Sequence, residues 1–118
     1  GGRQDEGRRL IRIGDVEKAV CDAFGVSATE LRSASRRKAL AVPRAIAMFL
    51  SRKMTKSAYR EIGAWFGGRD HSTVVAAEKR VAALIESDNA PELPTLTSCR
   101  SMSELIEHLE RQISSLAS

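Results

Sequence analysis

The chain has 118 residues and a formal net charge of +4, and hydrophobic residues make up 42% of it while aromatic residues make up only 4%. This length suits one domain, and a core that is aliphatic and rich in alanine favours helices over a β-sandwich. The absence of any long apolar run or signal-peptide pattern argues against a membrane or secreted protein, so we expect a cytoplasmic one. Cys21 and Cys99 lie far apart without metal-type spacing, which favours reduced thiols over a disulfide framework.

The charges are distributed unevenly along the sequence. Residues 31–60 hold nine basic residues and no acidic one: Arg32, Arg36, Arg37, Lys38, Arg44, Arg52, Lys53, Lys56 and Arg60. Residues 82–118 hold six acidic residues and two arginines. This asymmetry predicts one face that binds a polyanion and one that avoids it. The alternative is a solvated basic face without a partner.

The first part of the chain is expected to be a tail followed by two scaffold helices. Residues 1–9 are rich in glycine and charge, which predicts a disordered linker or an expression remnant, and the missing initiator methionine suggests a piece of a longer protein. Asp15 is predicted to cap a helix that ends at Gly25. The run Ser27-Ala28-Thr29-Glu30 is predicted to form a capping box that opens a short second helix.

A basic loop and a third helix follow. Residues 33–42 lack a helical period, which leaves Arg36, Arg37 and Lys38 able to reach outward, and an arginine on such an arm suits a narrow A·T-rich minor groove. Pro43 is predicted to start the third helix, whose buried edge is Ile46, Leu50 and Met54. Arg44 and Arg52 are predicted to lie off that edge as candidate phosphate contacts, although each alone could equally be a solvent-exposed charge.

The stretch from 61 to 77 predicts a short helix, a glycine turn and a second, capped helix. Ser57 is expected to cap the first of these helices, where Lys56 can meet a phosphate. Gly63 costs about 1 kcal/mol relative to alanine inside a helix and therefore indicates a close helix crossing. Gly67-Gly68 ends the helix, and Asp70 is a plausible N-cap for the next one. The side chains there suit base reading from a helix N-terminus in a major groove: Arg69, Asp70, His71, Ser72 and Thr73.

The last part of the chain is predicted to be a loop and a separate helix. Residues 88–100 contain Pro91 and Pro94, which favours a loop. Residues 101–118 resume helical spacing as an amphipathic helix, which either packs back on its own domain or pairs with another chain. The predicted fold is thus all-α, a compact helical domain of about six helices with a helix-turn-helix after a basic loop. Residues 10–87 are expected to form the helix-turn-helix domain.

Residues of the central stretch also resemble a known family. Ile62-Gly63, followed by Phe66-Gly67-Gly68-Arg69-Asp70-His71-Ser72-Thr73-Val74, resembles the signature of the C-terminal DNA-binding domain of DnaA, the bacterial chromosomal replication initiator. Ser35-Arg36-Arg37, Pro43-Arg44 and Ala47-Met48 resemble the basic loop of that family and the helix after it. The resemblance extends from about residue 13 to residue 85.

This resemblance implies a partner and a set of site residues. The partner would be double-stranded DNA carrying a DnaA box similar to TTATCCACA, at a replication origin in the nucleoid. The base-reading residues would be Arg36 in the minor groove and Arg69, Asp70, His71, Ser72 and Thr73 in the major groove. The residues that hold the phosphates would be Arg37, Arg44, Arg52 and Lys56. The parent protein would bind ATP and self-assemble through a separate AAA+ domain, so this fragment is expected to need no cofactor.

No pattern in the sequence predicts an enzyme. Asp70, His71 and Ser72 are adjacent on a helix and point in different directions, so they cannot form a catalytic relay. A metal site from the two cysteines and two histidines would require an improbable convergence. The competing hypothesis is a small interaction or regulatory protein that borrowed the fold, binds DNA weakly and engages a partner through its C-terminal helix.

Overall fold

The computed structural model describes residues 10–34, 37–87 and 99–116. These ranges contain six helices and no strand: α1 (Ile13–Phe24), α2 (Ala28–Arg32), α3 (Lys38–Met54), α4 (Tyr59–Trp65), α5 (His71–Ser87) and α6 (Met102–Leu116). The predicted all-α class is therefore confirmed. The predicted tail at residues 1–9 and nearly all of the predicted loop at 88–100 lie outside the described residues.

Local signals set the ends of the first two helices, with one correction. Arg12, not Asp15, is the N-cap of α1, and Asp15 instead accepts a 2.9 Å hydrogen bond from the Arg12 backbone N–H. Gly25 ends α1 in the left-handed region with φ 68°, as predicted. The capping box at α2 is confirmed, because the Ser27 hydroxyl accepts from Glu30 N–H at 3.0 Å while the Glu30 carboxylate accepts from Ser27 N–H at 2.9 Å.

Helix α3 begins earlier than the sequence predicts. It starts at Lys38, so Pro43 lies inside the helix rather than at its first position. A proline there removes one internal backbone hydrogen bond. Leu40 and Val42 in the first turns are 1% and 2% exposed, and their burial offsets that cost. The basic loop is correspondingly shorter than predicted and ends at Arg37.

One hydrophobic core joins all six helices. Helix α3 lies at its centre and packs against α1 and α5, while α5 also packs against α4. The fully buried side chains include Val16 and Val20 of α1, Ile46 and Leu50 of α3, and Val74 and Val81 of α5. The core thereby fixes α5 against two helices and leaves the first turn of α5 at the surface.

Helix α6 packs back on its own domain, as one of the two sequence alternatives predicts. Its apolar stripe lies in the same core as α1 and consists of Met102, Leu105, Ile106, Leu109 and Ile113. An ion pair between Lys53 and Glu110 adds a link from α6 to α3. Among the described residues, no helix has both the length and the apolar character that crossing a bilayer requires.

Candidate nucleic-acid interface

Three glycines shape the junction of α4 and α5: one inside α4 and two in the turn that follows it. Gly67 and Gly68 have φ of 95° and 72°, which reverses the chain after α4 as the sequence predicts. Gly63 is buried in α4, and a Cβ placed on it would overlap the carbonyl oxygen of Arg69. The Arg69 backbone N–H in turn donates to the Gly63 carbonyl at 2.8 Å. The predicted close crossing at Gly63 is therefore confirmed.

The first turn of α5 presents a short row of polar side chains, which we call the reading end and define as residues 70–73. Asp70 caps the helix, because its Oδ1 accepts from the Thr73 backbone N–H at 3.1 Å and from the Thr73 hydroxyl at 3.0 Å. These two bonds, the hydroxyl's first, hold the pKa of Asp70 below its usual value. All four side chains of the reading end are exposed, so they are available to a ligand.

An aromatic contact ties the reading end to α3 and α4. The ring of Tyr59 lies 5.7 Å from the imidazole of His71, and its hydroxyl donates to the Glu78 carboxylate at 2.8 Å. The guanidinium of Arg52 stacks over the ring of Tyr59, 4.3 Å from its centroid. Tyr59 of α4 therefore contacts both α3, through Arg52, and α5, through His71 and Glu78.

Arg69 lies differently from what its role as a base reader suggests. It is half-buried, and its Nη2 donates to the Ser33 carbonyl at 2.9 Å. Its Nη1 donates to the carbonyl of Phe66. The guanidinium thus points back into the domain, whereas the neighbouring reading end faces outward.

Arg44 corrects the sequence interpretation. The sequence predicts that it lies off the buried edge of α3, but it is only 9% exposed. Its Nε donates to Leu31 O at 2.9 Å, and its Nη2 donates to Glu30 O and Ser33 O at 3.2 Å each. Burial, and secondarily the neighbouring Arg69 charge, lowers the pKa of Arg44. Its guanidinium therefore binds the carbonyls at the end of α2 and does not reach outward to a phosphate.

The remaining predicted phosphate residues lie at the surface. Arg52 is exposed and donates to Ser57 O at 3.0 Å, and Lys56 is exposed in the turn before α4. Arg37 is exposed and pairs with the Glu30 carboxylate at 2.7 Å. Arg36 lies outside the described residues. Ser57 is not the N-cap of α4 as predicted, because Ala58 occupies that position.

Sequence reasoning missed Arg80. A groove of about 260 Å³ runs between α3 and α5, and its lining includes Arg44, Arg69, Thr73 and Arg80. Arg80 follows Thr73 by seven residues, which places the two on the same face of a helix. That helical spacing from Thr73 is the signal in the sequence that could have identified Arg80. The groove therefore runs from Thr73 of the reading end along α5 to the positively charged side chain of Arg80.

A buried carboxylate binds the last residue of α4. Glu17 is 4% exposed and accepts from Arg32 Nε and Nη2 at 2.8 and 2.6 Å, and from Trp65 Nε1 at 3.2 Å. Arg32 also stacks on the Trp65 ring at 4.6 Å. Trp65 is thus held by Glu17 and Arg32. Within the described ranges, no three His, Cys, Asp or Glu side chains gather as a metal site.

Comparison with known families agrees with this geometry. A family model described as the bacterial dnaA protein helix-turn-helix matches residues 13–81. The matched segment runs from the first residue of α1 to the third turn of α5, so it includes α4, the glycine turn and the reading end.

Proposed function

We propose that this chain, which belongs to the family of bacterial DnaA helix-turn-helix domains, binds DnaA-box-like sequences of a replication origin. Membership of the family makes it a DNA-binding domain of the DnaA type. The exposed polar row at the start of α5, set on a glycine turn that a rigid core supports, is the observation that carries the proposal. Such a row at a helix N-terminus matches the major groove in size and chemistry.

In this proposal the reading end distinguishes bases. The Asp70 carboxylate can accept from a cytosine amino group while it caps α5, because a carboxylate has several acceptor sites. His71 can donate to a base edge, and the methyl of Thr73 can meet a thymine methyl. Their short side chains keep the helix close to the base edges.

The phosphates would be held by cations on either side of the reading end. Arg52 and Lys56 lie at the junction of α3 and α4, and Arg80 lies along α5. Arg37 would join them by exchanging its exposed ion pair with Glu30 for a phosphate, since such pairs contribute little to stability. These contacts fix the register on the duplex and carry no sequence information. The protein would act in the cytoplasm, at the nucleoid, without a cofactor or catalytic step in this fragment.

A pair of histidine variants tests the proposal. His71→Ala should lower the affinity for a labelled TTATCCACA duplex by roughly 1–3 kcal/mol and leave a scrambled duplex unaffected, as measured by fluorescence anisotropy. His108→Ala, the matched control on α6, should change neither duplex. Equal losses on both duplexes for His71→Ala would contradict a base-reading role for the reading end.

The competing interaction-protein hypothesis has little support from α6. That hypothesis requires an apolar stripe available to a partner, and the stripe of α6 is buried in the domain core. Leu116 at the end of α6 is 37% exposed, but a single side chain does not make a docking face.

A further inference from the structure

Two arginines converge on one backbone carbonyl at the start of the basic loop. Arg44 from α3 and Arg69 from the α4–α5 turn both donate to Ser33 O, at 3.2 and 2.9 Å. A carbonyl oxygen has two lone pairs and can accept both bonds. We call this arrangement, made of Arg44, Arg69 and the Ser33 carbonyl, the arginine clasp.

The clasp joins parts of the chain that are distant in sequence. Arg69 and Ser33 are 36 residues apart. Behind the clasp, Gly67 lies against the carbonyl of Arg32, so closely that a Cβ on Gly67 would overlap it. The end of α2 is therefore seated directly on the turn that leads into the reading end. At the other end of the loop, Arg37 is paired with Glu30 of α2.

Both terminal nitrogens of Arg69 are engaged by backbone oxygens. To fork onto the O6 and N7 atoms of a guanine, the side chain would have to release the carbonyls of Phe66 and Ser33. Half-buried carbonyls that lose a charged donor are costly to leave unsatisfied. The observed geometry therefore favours a structural use of this guanidinium over a reading one.

We propose that Arg69 is a positioning residue, which fixes the start of the basic loop relative to the reading end, and that it does not itself contact bases. The proposal rests on the DNA-binding function proposed above and refines its residue assignments. It accounts for the presence of an arginine beside an exposed reading end with its side chain turned inward. It also predicts that sequence discrimination depends on Arg69 indirectly, through the placement of the loop and α5.

The first experiment needs no DNA. The amides that report on the clasp are those of Ser33 and Leu40, which donate to Glu30 O at 3.2 Å and to Arg37 O at 3.0 Å. In the free protein, Arg69→Ala should raise hydrogen exchange at both by about tenfold or more, because the loop loses an anchor. Arg80→Ala, the matched control, removes a charge from the same groove without touching the Ser33 carbonyl and should leave that exchange unchanged. Unchanged exchange in Arg69→Ala would overturn the clasp, whatever the protein does with DNA.

The second experiment separates positioning from reading. Each guanine opposite TTATCCACA is replaced in turn by 7-deazaguanine, which lacks the N7 acceptor. If Arg69 only positions, Arg69→Ala binds the unmodified box about tenfold more weakly, yet every 7-deazaguanine penalty seen with the wild-type chain persists. If one of those penalties disappears in Arg69→Ala, Arg69 reads that guanine and the proposal is wrong.

A third variant covers the case in which Arg69→Ala folds poorly. Arg69→Lys keeps the positive charge but cannot bind two carbonyls with a planar fork. We expect it to show raised exchange at Ser33 and weakened box binding, as in Arg69→Ala. Wild-type behaviour in Arg69→Lys would mean that charge alone matters and would overturn the proposal. Failure of the wild-type chain to distinguish the box from scrambled DNA would instead refute the proposed function.

Discussion

At the scale of single residues, the arginines of the basic stretch divide by what their guanidinium groups contact. Arg44 and Arg69 bind backbone carbonyls inside the domain. Arg32 pairs with the buried Glu17, while Arg37 and Arg52 keep exposed side chains. A cluster of positive charge in a sequence is therefore not a measure of the charge that a duplex meets. Some of these arginines bind groups of the domain itself and stabilise its fold.

The role of Arg44 can be tested through stability. Arg44→Ala leaves buried carbonyls at the end of α2 without their charged donor, so the free energy of unfolding should fall by about 3 kcal/mol. Arg52→Ala removes an exposed arginine from the same helix and should cost about 1 kcal/mol or less. Urea unfolding followed by the fluorescence of Trp65, the single tryptophan, measures both. Equal losses for the two variants would contradict the structural role of Arg44.

Sequence reasoning succeeded at residues whose partners are close in the chain. The Ser27–Glu30 capping box, the stop at Gly25 and the cap at Asp70 each involve atoms within four residues of one another. Arg44 and Arg69 could not be assigned in this way, because the Ser33 carbonyl that they share lies 11 residues from Arg44 and 36 from Arg69. Only the folded chain brings these carbonyls to the guanidinium groups.

At the scale of elements, α3 shows how packing overrides a local signal. Proline favours the first turn of a helix, yet Pro43 lies inside α3 because the preceding turn buries Leu40 and Val42. The turn between α4 and α5 and the start of α5 were predictable because two glycines and an N-cap mark them, whereas the N-cap of α4 is Ala58 and not the predicted Ser57. The close packing at Gly63 was also predictable, because a glycine inside a helix indicates a compensating contact.

The glycines of the turn give a matched pair of variants. Gly63→Ala should gain about 1 kcal/mol of helix propensity, but the overlap with the Arg69 carbonyl should cost more, giving a net destabilisation of about 1–3 kcal/mol. Gly68→Ala meets no atom within 4 Å and should lose only the about 1–2 kcal/mol that positive φ costs a residue with a Cβ. The midpoints of urea unfolding measure the loss of stability in both variants. A stabilised Gly63→Ala protein would refute the close crossing.

The cap of α5 predicts a pH dependence. Because folding lowers the pKa of Asp70, its contribution to stability is complete above the unfolded value of about 3.8 and is lost as the pH falls through the lower folded pKa. Asp70→Asn keeps a capping oxygen but does not titrate. The stability difference between wild type and Asp70→Asn should therefore shrink as the pH drops from 5 to about 2. A difference that is constant over this range would contradict the capping role of the carboxylate.

At the scale of the whole molecule, the fold buries the apolar stripe of α6 in the core and leaves the reading end at the surface. Helix α6 packs mainly on α1, and its Glu110 neutralises Lys53 of α3. The exposed cations Arg52 and Lys56 lie at the junction of α3 and α4, and Arg80 lies further along α5. The charge asymmetry of the sequence thus corresponds to a surface on which exposed cations flank the reading end.

Salt dependence gives the most direct test of sequence reading by this surface. Anisotropy titrations of the wild-type chain would compare a TTATCCACA duplex with a scrambled duplex of equal composition at several salt concentrations. Phosphate contacts are shared by both duplexes, so the plots of log affinity against log salt should have parallel slopes. Base contacts are made only to the box, which should bind at least about tenfold more tightly throughout. Coincident curves at every salt concentration would contradict the account.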